Sequence, residues 1–264
     1  MGRCVKPTKP PTHSHYTSDQ LQRVHSACLT LATRLGSLSG DVVLVGGLVP
    51  SLLVSQSASE AHVGTSDLDL GLSLTLLENS RYQVLVHQLR ASGFEPDKNE
   101  RGRATPHRWI DTRTRITVDF LIAPSSELEM GGEQHTIDAE LSAFVVPGVS
   151  LAFRDQKLVE LSGTTLDDEE ATREFRVCGP GAFVLLKALA FKGRGENKDA
   201  YDLLYVLKEY GEFITDVENA IRPLLSHPAA REAISVLTND FTRPNHTGPM
   251  RAAAFLGRST DDAY

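Results

Sequence analysis

Between Ser18 and Ala123 the apolar positions repeatedly switch between a spacing of three or four and a spacing of two. That switching constrains the fold more than any other feature of the chain. Leu21, Val24, Cys28, Leu31 and Leu35 recur at helical spacing after Ser18, a candidate N-cap, and Gly36 closes the segment. "DVVLVGG" (41–47) then reads as a β-branched strand ending in two glycines, and "LVPSLLVSQ" (48–56) as a helix that tolerates Pro50 in its first turn. Next comes "SDLDLGL", a strand by its alternation, followed by a helix over roughly 79–91 closed by Gly93, and short strands at "RWID" and "RITVDFLIA". The order is helix, strand, helix, strand, helix, strand, strand. Such alternation lays helices against a sheet, the mark of an α/β layer.

The remainder divides in two. Residues 126–178 carry short apolar runs, "AFVV", "SLAF" and "FRVC", each read as a strand, and an acidic stretch, Asp167-Asp168-Glu169-Glu170, read as solvated surface. From Gly181 the pattern becomes helical through "AFVLLKALAFK", "KDAYDLLYVLKEY", "ITDVENAIRPLL" and "AAREAISVLTNDF". The expected organisation is a flexible, Pro- and His-rich arm over 1–16 with no assigned chemistry, a core over 17–178 and a helical subdomain over 179–264.

Composition removes several function classes. With 264 residues and 41% hydrophobic content the chain can bury a sizeable core, and its net charge of −7 argues against non-specific coating of nucleic acid. Cys4, Cys28 and Cys178 are odd in number and lack metal-ligand spacing, as in a reduced cytoplasmic protein. No stretch of about 18 apolar residues occurs, so no membrane span is expected. His25, near the apolar stripe of the first helix, reads as a packed histidine.

Acids in unexpected places point to chemistry. A strand turns successive side chains to opposite faces, so Asp67 and Asp69 share one face while Leu68, Leu70 and Leu72 fill the other. In "RITVDFLIA" the same alternation sets Asp119 apart from Ile116, Val118 and Phe120. Should the two strands be neighbours, three carboxylates converge, the arrangement that binds hard divalent cations such as Mg²⁺ or Mn²⁺. Gly46-Gly47 ends a strand and opens a helix, where bare backbone N–H groups can approach a phosphate. Ser66 either adds a hydroxyl to that site or caps the turn.

These stretches together carry a resemblance. "VGGLVPSLL", "TSDLDLGL" and "ITVDFLI" resemble the core of the DNA polymerase β-type nucleotidyltransferases, and "LLKALAFKGRGENKDAYDLLYVL" is similar to the AbiEii-type nucleotidyltransferase toxins. The resemblance covers roughly residues 40–210, and Gly47 departs from it where many relatives carry serine. It implies an α+β fold with a mixed β-sheet flanked by helices and a helical C-terminal part. It further implies Mg²⁺-dependent transfer of a nucleotide from NTP, such as ATP, to an RNA acceptor, tRNA in studied branches, and a paired antitoxin protein. Carried over residue by residue, it places Asp67, Asp69 and Asp119 on the metal. Lys187 falls on the triphosphate, Arg194 and Asp199 beside the nucleotide, Lys198 on a matching position of the motif, and Asp202 in a supporting role.

Lys187 and Arg194 are seven apart, two helical turns, and so share a helix face. Between residues 101 and 115 a basic stretch, Arg101, Arg103, Arg108, Arg113 and Arg115 around Trp109, offers either an acceptor-binding surface or a solvated hairpin over a buried tryptophan. Three readings stay open: transfer to RNA, transfer to a small hydroxylated molecule as in antibiotic-modifying enzymes, and a nucleotide-binding module without catalysis.

Overall fold

The computed structural model describes residues 9–55, 58–73, 76, 81–99, 102–124, 133–137 and 140–258. Its first helix, α1 (Ser18–Leu35), starts one residue earlier than an N-cap at Ser18 would place it: Thr17, not Ser18, accepts the backbone N–H of Gln20. Strand β1 (Val42–Val45) is buried at all four positions. After it the expected helix at 48–56 shrinks to α2 (Val49–Leu53), preceded by a 3₁₀ turn at Gly46–Leu48. β2 (Asp67–Leu72), α3 (Tyr82–Ala91), β3 (Phe94–Lys98), β4 (Ala104–Asp111) and β5 (Thr117–Ile122) follow. Gly93 sits behind α3 with φ 84, and residues 79 and 80 of the expected helix lie outside the described residues.

Residues 133–178 depart most from the sequence expectation. β6 (Gln134–Thr136) and β7 (Ser142–Val145) are short, and "SLAF" is not a strand but the start of a helical turn, α4 (Leu151–Arg154). Four apolar residues at a loop corner satisfy either period, so tertiary packing decides. β8 (Gln156–Thr164) and β9 (Glu170–Cys178) form an antiparallel hairpin of two nine-residue strands, of which only "FRVC" stands out in the sequence, because much of its length faces solvent and lacks apolar alternation. Its turn holds Asp168 at φ 59, and Asp167 reaches Arg113 at 3.1 Å.

The C-terminal third is helical, as expected: α5 (Pro180–Arg194), α6 (Asn197–Glu209), α7 (Ile214–Ile221), α8 (Pro228–Asp240) and α9 (Thr247–Leu256), the last not foreseen. α5 packs against α6, α7 and α8, and α6 against α9.

One mixed sheet runs in the order β3-β4-β5-β2-β1-β9-β8, with β7 beside the far half of β5 and β6 beside β7. β2 and β5 are parallel, β1 and β2 antiparallel, β1 and β9 parallel. The chain is therefore an α+β fold, a mixed sheet flanked by helices, with α1 packed across β2, β8 and β9. Because β1 ends where β2 and β5 begin, the Gly46-Gly47 turn and the acid-bearing ends of both strands meet at one edge. No helix among the described residues is long and apolar enough to cross a membrane.

Candidate functional site

Strand register assembles the acids. Asp69 is the Cα partner of Asp119 across the parallel β2–β5 pair, and Val45, the residue before Gly46, is the partner of Asp69 across β1–β2. Register partners point their side chains to the same face, and Asp67 shares that face two residues before Asp69. One carboxylate oxygen from each of Asp67, Asp69 and Asp119 lies within 4.8 Å of the others. Asp69 and Asp119 are buried and Asp67 half-buried. Hard oxygen donors at this separation, on adjacent rigid strands, fit a divalent cation such as Mg²⁺ or Mn²⁺.

Glycine is required beside them. Gly46 has φ 77, and a Cβ there would lie 2.1 Å from Oδ2 of Asp69. A Cβ on Gly47 would lie 2.6 Å from Oγ1 of Thr65. That threonine is 1% exposed, and its hydroxyl donates to Oδ1 of Asp67 at 2.9 Å. The hydroxyl oriented by the site therefore belongs to Thr65. Ser66, one residue on and of opposite parity, lines a pocket of about 390 Å³ with Thr17, Gln20, Arg23, Thr114, Arg115 and Ile116. Parity already linked Thr65 with Asp67 and Asp69, and that was the available signal.

Three cations surround the carboxylates. Arg108 on β4 donates from Nε and Nη2 to the two oxygens of Asp119 at 2.7 and 2.8 Å. Arg108 was expected among acceptor contacts; its guanidinium is instead committed to Asp119, and the hydrogen bonds raise its pKa further. Each Asp119 oxygen keeps a lone pair beyond that fork, so the pairing leaves room for a metal. Trp109, on the opposite face of β4, is fully buried, which excludes it as a platform for stacking a base. Arg103 is exposed, with its backbone N–H on Asn99, and Arg101 lies outside the described residues. The second cation is Lys9, from the arm read as without chemistry: its ammonium lies 3.8 Å from Oδ1 of Asp67. Burial opposes that charge, yet Asp67 and Asp69 outweigh it and its pKa is raised. The third is Arg194, held by Asp199 through Nε at 2.6 Å and Nη2 at 2.8 Å. Burial again opposes the charge, and Asp199, Asp69 and Asp67 overcome it.

Behind Arg194 lies a buried ionic cluster. Lys187, 5% exposed, donates to Asp199 at 3.1 Å and to Asp202 at 2.7 Å, rather than standing open to solvent. Lys198, fully buried, donates to the other oxygen of Asp202 at 2.6 Å, and burial pulls its pKa down to about 8. His62 completes the ring around Asp202: Nε2 donates to Oδ1 at 2.9 Å while Nδ1 accepts the Gly64 N–H at 3.1 Å. Both ring nitrogens are thus used by the neutral tautomer, and burial lowers its pKa to about 4. Asp199 and Asp202 stay ionised: burial would raise both pKa values, but Lys187 with Arg194 and Lys198 holds them well below the usual range. Three cations face two carboxylates here, so the cluster carries surplus positive charge next to the surplus negative charge of the acid trio. His62 gave no sequence signal, because a lone histidine in a loop has none.

No family model matches the chain, and no curated protein matches it. Among solved structures, the chain is similar to the crystal structure of an antigenic nucleotidyltransferase-like protein from Paracoccidioides brasiliensis, at 17% identity. That similarity covers 84% of this chain and 94% of that chain, with a TM-score of 0.43.

Proposed function

We propose that the protein is a divalent-metal-dependent nucleotidyltransferase. The observation that carries the reading is the register-locked trio Asp67, Asp69 and Asp119, with the Gly46 backbone pressed against Asp69. A Mg²⁺ or Mn²⁺ ion on these oxygens would supply neutralisation of phosphate charge and a lowered barrier to loss of an acceptor proton. Asp67 and Asp69 would hold the metal, with Thr65 fixing the rotamer of Asp67. Asp119, oriented by Arg108, completes the ligand set. Asp119, with a lone pair on each oxygen beyond the Arg108 fork, would also help to take the proton from the acceptor hydroxyl. In the transfer, an acceptor hydroxyl oxygen bonds to the α-phosphorus of the NTP as the bond to the bridging oxygen breaks and pyrophosphate leaves. Arg194, 31% exposed and anchored by Asp199, faces the departing charge. Lys187 acts through Asp199 and Asp202, as a positioning residue.

RNA is the acceptor class that the sequence resemblance supports, with tRNA the specific form and a toxin with a paired antitoxin its context. Arg103 and Arg115 are exposed members of the basic stretch for such a role, whereas Arg113, also exposed, is paired with Asp111 and Asp167. A small hydroxylated acceptor is the second reading, favoured by the engagement of Arg108 and the burial of Trp109. Incubation with Mg²⁺ and each labelled NTP, with total RNA in one arm and aminoglycosides in another, tests both. Label on RNA supports the first and label on the small molecule the second. Label on neither, with Asp67→Ala indistinguishable from wild type, overturns the enzyme reading.

A further inference from the structure

The arm before α1 is tied down along its described length. The carbonyl of Pro11 accepts Nδ2 of Asn197 at 3.2 Å, and the other end of that amide accepts Nη1 of Arg251 at 3.2 Å. The His13 ring donates through Nδ1 to the carbonyl of Phe255 at 3.1 Å. The Tyr16 ring lies 5.1 Å from the Lys198 ammonium and packs against Phe255. α6 and α9 therefore clamp the arm at three points, and the clamp delivers Lys9 to the acid trio with its side chain only 12% exposed.

We propose that Lys9 is a nucleotide-binding residue, whose ammonium moves from Asp67 to the triphosphate when the metal and nucleotide enter. The inference rests on the nucleotidyltransferase reading and follows from charge. Three carboxylates and the Arg108 guanidinium leave two negative charges, and one divalent cation cancels them. With those charges met, the attraction of Asp67 and Asp69 for the ammonium is offset, and the cation on the same oxygens repels it. The clamp keeps the Lys9 backbone in place, while the four-carbon stem lets the ammonium shift by several ångströms. The triphosphate is then the largest uncompensated charge within its reach, opposite Arg194. Lysine suits this position because it is a compact, mobile point charge, whereas the fixed forks at Asp119 and Asp199 are arginine.

Two titrations on the full chain test this: Mn²⁺ alone, followed by electron paramagnetic resonance, and each of the four NTPs with Mg²⁺, followed by calorimetry. Lys9→Ala is expected to weaken the preferred nucleotide tenfold or more while binding Mn²⁺ at least as tightly as wild type. Lys9→Arg should keep most of the nucleotide affinity. Asn197→Ala, which loosens the clamp, should lose part of it. Unchanged nucleotide affinity in Lys9→Ala overturns the inference and leaves the enzyme reading standing. Weakened Mn²⁺ binding in Lys9→Ala also overturns it, since the ammonium would then support the metal site itself. Wild-type protein that binds no Mg²⁺-NTP overturns both.

Discussion

Asp69 and Asp119 are paired residues on adjacent parallel strands, so the backbone ladder itself holds their carboxylates side by side. Two like charges in a buried setting destabilise each other unless cations offset them. Arg108 and Lys9 offset two of the three charges of the trio, and the remaining negative charge favours binding of a metal ion. Asp69→Asn keeps the shape and removes one charge. Mn²⁺ affinity in this variant should fall by more than the roughly 10–100-fold that loss of a ligand's outer partner costs. Nucleotide transfer should fall with it. The melting temperature without metal should stay level or rise, because a buried repulsion has been relieved. A lowered melting temperature in metal-free buffer would show that the Asp69 charge is structural instead.

The Gly46 backbone at φ 77 gives a second prediction. Gly46→Ala places a methyl group 2.1 Å from Oδ2 of Asp69 in a conformation that L-residues avoid. Strain of that kind costs about 1–3 kcal/mol, and Asp69 must move, so both stability and metal binding should drop. Gly257 is the control: its φ is 64 and open space surrounds the new methyl group. Gly257→Ala should cost about 1–2 kcal/mol, the ordinary left-handed penalty, and leave metal binding unchanged. Urea denaturation beside Mn²⁺ titration separates the two effects.

Sequence patterning exposed the acids and the glycines because each breaks a rule of its own element. A carboxylate inside an apolar strand and a double glycine at a strand end are both visible without a partner. The convergence of Asp119 on Asp69 is not legible in the sequence, since strand adjacency is non-local. The commitment of Arg108 to Asp119 and of Lys187 to Asp199 and Asp202 was hidden for the same reason. A cation's partner depends on which strands and helices pack together, and an unpaired arginine reads the same as a buried one. The arm was illegible in a different way: its Pro-rich, His-rich composition matches a solvated tail, while its docking depends on side chains of α6 and α9. β8 and "SLAF" were missed because hairpins exposed to solvent and four-residue apolar runs lack a decisive period.

His62 predicts a stability loss in mild acid. Its folded pKa is lowered to about 4, from an ordinary value of 6.5, because the ring is buried. Below pH 6.5 the unfolded imidazole takes up a proton that the folded ring refuses until about pH 4. Stability is therefore full above 6.5 and falls as the pH drops through that window, by roughly 3 kcal/mol when complete. The His62→Gln variant removes the titration while keeping a donor toward Asp202. Its unfolding free energy, compared with wild type at pH 7.5 and pH 5, should lose less than wild type on acidification. Parallel losses in the two proteins would assign the acid sensitivity elsewhere.

The ionic cluster predicts non-additivity. Asp202 accepts from Lys187, Lys198 and His62 and is fully buried, so Asp202→Asn leaves the Lys198 charge without an opposite charge in contact. Removing one partner of a buried pair costs about 3–5 kcal/mol, most of it the penalty of the stranded charge. In the double variant Asp202→Leu with Lys198→Met, no stranded charge remains at that end, and Lys187 keeps Asp199 as its partner at 3.1 Å. Apolar replacements of similar volume should then recover much of the stability lost in Asp202→Asn. Urea midpoints of the single and double variants decide the matter. A double variant no more stable than Asp202→Asn would mean that hydrogen bonding, rather than charge balance, holds α6 in place.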